Sequence, residues 1–332
     1  LVDEIQQESP LVERLKPGDD LAAAAARENT IIHLAPGNYP IEETLKLGSH
    51  VIIRGSGIGR TRLVVMLRDQ RNAPVVDQEN AIPETTGVLL ANVTGSGLEE
   101  LSITMDESLL KPNAPNTGPY AYDNNPHGHD DLHITLVRFS ASQSSWLKNC
   151  ELLNAGSHPL VLDNSRHLTI EGTEINGAYN KSKGLGTVVL SGVESSLIDG
   201  VMMSDINHIL LRGGTDGRKT RYNVMVNSRI TVDVRFVSEN TDHNLLENCQ
   251  IAVPATHHAP PIAYLTKTKE LPSTNLLYLC TITRDFPTGN RRFSVADNPN
   301  QVYRLLGATS FATLVEVLGP APIRNTLWPV RF

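Results

Sequence analysis

Apolar and polar positions repeat along the middle of the chain in a six-residue frame: apolar, polar, Asn or Gly, small, polar, apolar. The frame reads Leu147-Lys-Asn-Cys-Glu-Leu152, Ile170-Glu-Gly-Thr-Glu-Ile175 and Ile198-Asp-Gly-Val-Met-Met203. It continues as Met225-Val-Asn-Ser-Arg-Ile230, Leu246-Glu-Asn-Cys-Gln-Ile251 and, more loosely, Leu277-Tyr-Leu-Cys-Thr-Ile282, with an earlier copy at Leu98-Glu-Glu-Leu-Ser-Ile103. Successive starts from Leu147 to Leu277 lie 23, 28, 27, 21 and 31 residues apart. Between frames lies a second aliphatic run, as at Leu160–Asp163, Val188–Ser191, Ile209–Arg212, Arg235–Ser238 and Ile262–Leu265. None of these runs has a 3.6-residue period, so they predict strands. The intervals suit one solenoid turn with variable loops and are too irregular for leucine-rich or WD repeats. Each coil would pair with the coils above and below and bury one face in a shared interior. Asn149, Asn227 and Asn248 share one frame position, where stacked amides can hydrogen-bond along the axis.

The beginning of the chain adds a resemblance. Residues 16–65 carry Lys-Pro-Gly-Asp-Asp, an alanine-rich helix candidate, then Thr30-Ile-Ile-His-Leu-Ala-Pro-Gly-Asn-Tyr39 and Val51-Ile-Ile-Arg-Gly-Ser-Gly-Ile-Gly59. This resembles the opening of pectate-lyase-like β-helices: a capping helix, a strand ending in Pro-Gly-x-Tyr, and an Arg-Gly-x-Gly turn. Resemblance and repeat together cover about residues 16–290. They imply an all-β, single-stranded, right-handed parallel β-helix with a short N-terminal capping helix, a scaffold that grips extended carbohydrate. One domain over 1–332 is expected, with a cap at 1–35, coils at 36–290 and a C-terminal coil or cap at 291–332. The run Gly55–Gly59 reads as a tight turn, because strand residues and not a helix follow it.

Composition narrows the partners. At 332 residues the chain exceeds the usual single-core size, which an elongated repeat accommodates. Aromatic residues make up only 5%, so the core rests on Leu, Val and Ile. A net charge of -7 argues against nucleic acid, which needs a basic footprint. No apolar run approaches the ~20 residues that cross a bilayer, so no membrane partner is expected. Cys150, Cys249 and Cys280 occupy equivalent strand positions and read as small core residues, not a disulfide framework. The first residue is Leu1, not Met, and a secreted or periplasmic location is expected.

A β-helix collects chemistry where loops align at one corner. The segment between frame and second strand supplies Asn154 and His158, then Tyr179, Lys181 and Lys183, then Asp205, Asn207 and His208, then Asp233 and Arg235, and last His257 and His258. Aligning Ile209 with Phe236 sets His208 and Arg235 in one column, about 5 Å apart. These groups suit β-elimination on a uronic-acid polymer. A cation beside the C6 carboxylate acidifies the C5 proton, a base removes it, and an acid protonates the leaving oxygen. Arg235 is the candidate neutraliser, Lys181 or His208 the base and Tyr179 the acid. His158, Lys183, Asp205, Arg212, Asp233, His257 and His258 are candidate substrate contacts. The stretch Arg218-Lys-Thr-Arg-Tyr222 concentrates positive charge in a net-acidic chain, which an anionic polysaccharide would explain, although a solvated basic loop is the plainer reading. The exit of the second strand, with Asp163, Arg212 and residues 213–221, is the competing face.

The calcium-free logic is similar to that of alginate and chondroitin lyases on this fold, but no catalytic residue matches theirs position for position. Two alternatives stand beside the lyase. One is a glycoside hydrolase or transferase using Asp205 and Asp233, since hydrolysis needs paired carboxyl groups. The other is a non-catalytic carbohydrate-binding β-helix. No cofactor is required by any of them. The cluster His127, His129, Asp131 and His133 could ligate a divalent ion, but a substrate contact or an ordinary polar loop explains it more simply.

Overall fold

The computed structural model describes residues 9–67, 85–109, 132–181, 185–237, 240–254, 261–265, 274–284, 301–308 and 313–320. The strands form three large sheets of twelve, nine and eight strands, here sheets A, B and C, and the chain visits them in turn. One coil runs through Trp146–Lys148 in A, Glu151–Ala155 in B and Leu160–Asp163 in C, and the next repeats the path parallel and in register. This is the right-handed parallel β-helix expected from the frame.

The six-residue frame is the bend between sheets A and B. Its third position holds a left-handed backbone: Asn149 (φ 49), Gly172 (φ 55), Gly200 (φ 62), Asn227 (φ 54) and Asn248 (φ 51). Asn and Gly are the residues that adopt this region at least cost, so the pattern records a backbone requirement. The amide ladder forms in part. Asn248 Nδ2 donates to Asn227 Oδ1 at 2.8 Å, and Asn227 Nδ2 to Asp199 Oδ1 at 2.9 Å. Asn149 turns instead to Glu100 Oε1 at 2.8 Å. A Cβ at Gly172 would lie 2.5 Å from Asn149 Oδ1, whereas one at Gly200 meets nothing within 4 Å. Gly172→Ala should therefore cost more than the ~1–2 kcal/mol of left-handed strain expected of Gly200→Ala. Urea midpoints of the two variants test this, and equal losses would contradict it.

Inward residues from all three sheets fill one interior, with Phe139 and Phe236 the largest fully buried side chains. The three cysteines are free and buried there, as their frame positions predict. A polar column runs beside the apolar one, at the positions just before the sheet A strands. Asn223 Nδ2 donates to Asn244 Oδ1 at 2.9 Å, and Asn244 Nδ2 to Asn275 Oδ1 at 2.8 Å. Ser96, Ser145 and Ser196 hold the same place in other coils and are likewise buried.

Leu11–Leu15 and Thr30–Leu34 already pair in parallel within sheet A, so coiling starts before residue 36. Between them lies a one-turn helix, Leu21–Ala25, whose first turn is capped by Asp20 accepting from Ala23 N at 2.9 Å. At the other end Gln301–Ala308 pairs antiparallel with Leu276–Tyr278 and with Thr313–Pro320. A hairpin, not another coil, terminates sheet A. No helix among the described residues is long and apolar enough to cross a membrane.

Candidate functional site

The outer faces of the three sheets differ in a way that locates chemistry. Outward positions on sheets A and B are open to solvent, as at Glu171, Met202, Arg229 and Gln250. Those on sheet C are largely buried: Val161, Val189 and Leu210, with Asp163, Ser191, His208 and Asp233. Ionisable groups buried outside the main core carry a desolvation cost that fold formation does not require. Sheet C is where this chain accepts that cost.

Asp233 organises the first cluster. It opens the strand Asp233–Val237, is fully buried, and faces His208 at the start of His208–Arg212 on the neighbouring coil. His208 Nδ1 lies 2.6 Å from Asp233 Oδ1, and Arg235 Nε lies 2.6 Å from Asp233 Oδ2. A carboxylate only accepts, so Nδ1 is the donor in this pair. The Arg235 side chain keeps 21% exposure, which makes its guanidinium the accessible edge of the cluster.

The register corrects one expectation. His208 pairs with Asp233 and Leu210 with Arg235, so His208 and Arg235 do not share a column. The aliphatic alternation has period two, and a slip of two residues keeps every inward side chain inward. The apolar pattern alone therefore could not choose between the two registers.

A second cluster lies toward the far end of the sheet C strands. Arg138 Nη2 donates to Asp163 Oδ2 at 2.8 Å, with Ser140 Oγ at 3.4 Å from the same oxygen. Asp163 Oδ1 is buried without a hydrogen-bond partner among the described residues. Arg212, one coil beyond Ser191 in the same row, is lowered in pKa by burial, with the Asp163 carboxylate opposing the shift. Arg138 was not among the sequence candidates, because its strand, Thr135–Ser140, carries no recognisable frame at its entrance. The signal that finds it is an Arg inside an aliphatic alternation, Leu136-Val-Arg-Phe139.

The corner between sheets B and C holds the remaining described candidates. Lys181 Nζ lies 2.5 Å from Asp205 Oδ1, with the lysine side chain 3% exposed. Burial lowers the Lys181 pKa, and the ion pair with Asp205 opposes the shift. Asn207 Nδ2 ties this corner together by donating to the carbonyls of Lys181 and Leu185. His158 is buried with Nδ1 2.9 Å from the Thr187 carbonyl, in contact with backbone of the next coil. His133 is also buried, and its Nδ1 has no hydrogen-bond partner among the described residues. Lys183, His257, His258, His127, His129 and Asp131 lie outside the described residues. Among the described residues no group of three or more His, Cys, Asp or Glu side chains could hold a metal.

Tyr179 is buried at the same corner, and burial, aided by the Glu107 carboxylate, pushes its pKa up to about 12. The folded protein thus keeps a phenol proton that the unfolded chain releases from pH 10. Stability should fall as pH rises through the interval from 10 to 12, and Tyr179→Phe should flatten that fall. Urea midpoints at both ends of the interval test it; an unchanged slope in the variant would contradict it.

No family model matches the chain, and no curated protein matches it in sequence. Solved structures do match in shape. A pectin methylesterase in complex with a hexasaccharide is 11% identical, with 87% of this chain and 94% of that chain covered at a TM-score of 0.48. A polygalacturonase from Erwinia carotovora ssp. carotovora is 11% identical over 86% and 82% of the two chains, TM-score 0.48. An alginate lyase from Paenibacillus sp. str. FPU-7 is 12% identical over 84% and 97%, TM-score 0.44.

Proposed function

We propose that this protein is a polysaccharide lyase that cleaves a uronate-containing polymer by β-elimination on the outer face of sheet C. One observation carries the reading: Asp233, fully buried, joins His208 and Arg235 on adjacent coils through two contacts of 2.6 Å. Elimination needs a cation and a base side by side, and Asp233 holds Arg235 and His208 in that relation. Arg235 offers a permanent cation to the C6 carboxylate of the sugar, which makes the C5 proton more acidic. His208 takes that proton while Asp233 holds the ring in place. The electron pair left at C5 forms the C4–C5 double bond, the C4–O bond breaks, and the leaving oxygen takes a proton. Tyr179, kept protonated by burial, is the proposed donor. Lys181 is less suited to be the base, because it is buried in an ion pair with Asp205 that the reaction would have to break.

The hydrolase alternative draws less support from the same geometry. Asp205 pairs with Lys181, and Asp233 with Arg235, so each carboxylate is already matched to a cation. The two mechanisms leave different products. Incubation with alginate, pectate, glycosaminoglycans and ulvan should yield, for one of them, the ultraviolet absorbance of an unsaturated uronate. New reducing ends without that absorbance would instead identify a hydrolase. Neither product from any polymer would leave a binding protein. A secreted or periplasmic location belongs with this proposal, since such polymers are extracellular.

A further inference from the structure

The corner between sheets C and A, opposite the cluster of His208, carries a groove of about 670 Å³. Its lining includes Asn164, Arg166, Glu194, Arg218, Lys219 and Arg221. That volume lies within the range of small-molecule and oligomer sites. The floor is a column of single parallel bridges, Gln143 to Arg166 to Glu194 to Arg221, one residue per coil. Neighbouring steps are ~4.8 Å apart, so the groove runs along the solenoid axis. The wall is the turn 213–219, drawn over the floor by Arg218, whose Nη1 donates to the Asn164 carbonyl at 3.0 Å. Gly192 and Gly214 permit this close approach: a Cβ on either would lie 2.5 or 2.2 Å from Asn164 Oδ1.

The charge in the groove is not balanced. Arg221 pairs with Glu194 at 3.0 Å, Lys219 with Asp242 at 2.7 Å and Arg218 with Asp216 at 2.9 Å. Arg166 is different. Its Nε and Nη2 both donate to Gln143 Oε1, at 3.1 and 2.8 Å, a neutral amide that leaves the positive charge in place. No carboxylate pairs with Arg166 among the described residues. Four cations therefore face one lining carboxylate in a chain whose net charge is -7. The Arg218 pair is exposed on both sides and holds little energy, so a ligand anion can replace its carboxylate at small cost.

We infer that this groove is a second binding site, which takes an extended carboxylate- or sulfate-bearing oligosaccharide along the axis, separate from the reacting face of sheet C. The anion preference follows from the groove itself. The choice of a glycan over other polyanions rests on the polysaccharide reading above. Such a site would hold the polymer on the solenoid while a neighbouring stretch reaches sheet C.

The test is fluorescence anisotropy of a labelled oligouronate with the full chain carrying His208→Gln, so that the probe survives. Adding Arg166→Gln, Arg218→Gln and Lys219→Gln together should weaken binding about tenfold or more and flatten its salt dependence. If that combination fails to fold, Arg166→Gln alone should still weaken binding about threefold, since it removes the one charge that no carboxylate offsets. Undiminished binding in the groove variants would overturn the inference. So would equal competition by a neutral dextran, which would show that charge is irrelevant. Tighter binding of single-stranded DNA would overturn the assignment to a glycan. The two readings separate cleanly. Groove-dependent binding without unsaturated product from the unsubstituted chain keeps the groove and removes the lyase. Product formation with groove-independent binding does the reverse.

Discussion

Asp233→Ala is expected to lower stability by about 3–5 kcal/mol and to abolish turnover. Removing one partner of a buried ion pair costs this much because the other charge stays behind unpaired. Here two groups lose a contact of 2.6 Å to the carboxylate, His208 Nδ1 and Arg235 Nε. The loss should be strongly non-additive with a change at His208, since both report on one network. His208→Ala in the Asp233→Ala background should cost much less than in the unsubstituted protein. Urea denaturation of the two single variants and the double variant measures this. Additive losses would show that the contact of His208 with Asp233 contributes nothing.

The second large effect lies in the polar column. Asn244 is buried; its Oδ1 accepts from Asn223 N and Nδ2, and its Nδ2 donates to Thr220 O, Asp242 O and Asn275 Oδ1. Asn244→Leu removes contacts on three consecutive coils at once, leaving Asn223 N and the Thr220 and Asp242 carbonyls without the Asn244 amide. Each buried polar group left unsatisfied costs about 1–3 kcal/mol, so a total loss of at least about 3 kcal/mol is expected. Asn244→Ser should lose less, because Ser occupies the equivalent place at Ser96, Ser145 and Ser196. In a solenoid the damage should concentrate on neighbouring coils. Hydrogen exchange should rise for the amides of Val224–Val226 and Leu276–Tyr278 before those of Val51–Arg54. A uniform rise across all coils would contradict that picture.

These two residues also show where the sequence was legible. The bend between sheets A and B could be read because its backbone requirement leaves Asn or Gly at a fixed place between apolar residues, as at Asn149, Gly172 and Asn248. Sheet C could be read as a set of aliphatic strands, but not in register. Ile209 aligns equally well with Val234 or Phe236 by side-chain pattern, and in the structure it pairs with Val234. That single slip placed His208 beside Arg235 instead of Asp233. The polar column escaped notice because it mixes Ser with Asn and sits outside the frame. The Arg138 and Asp163 pair escaped because its partners are 25 residues apart on strands whose pairing was unknown. What the sequence did carry was the collection of ionisable residues around sheet C, since Tyr179, Lys181, Asp205, His208, Asp233 and Arg235 all fall there.

The most direct test of a lyase centred on Asp233 is the rate of unsaturated-uronate absorbance on the responsive polymer, compared among the unsubstituted chain, His208→Gln and Arg235→Ala. The account predicts product from the unsubstituted chain and essentially none from either variant, with both variants folded by circular dichroism. Full activity in Arg235→Ala or in His208→Gln would contradict it.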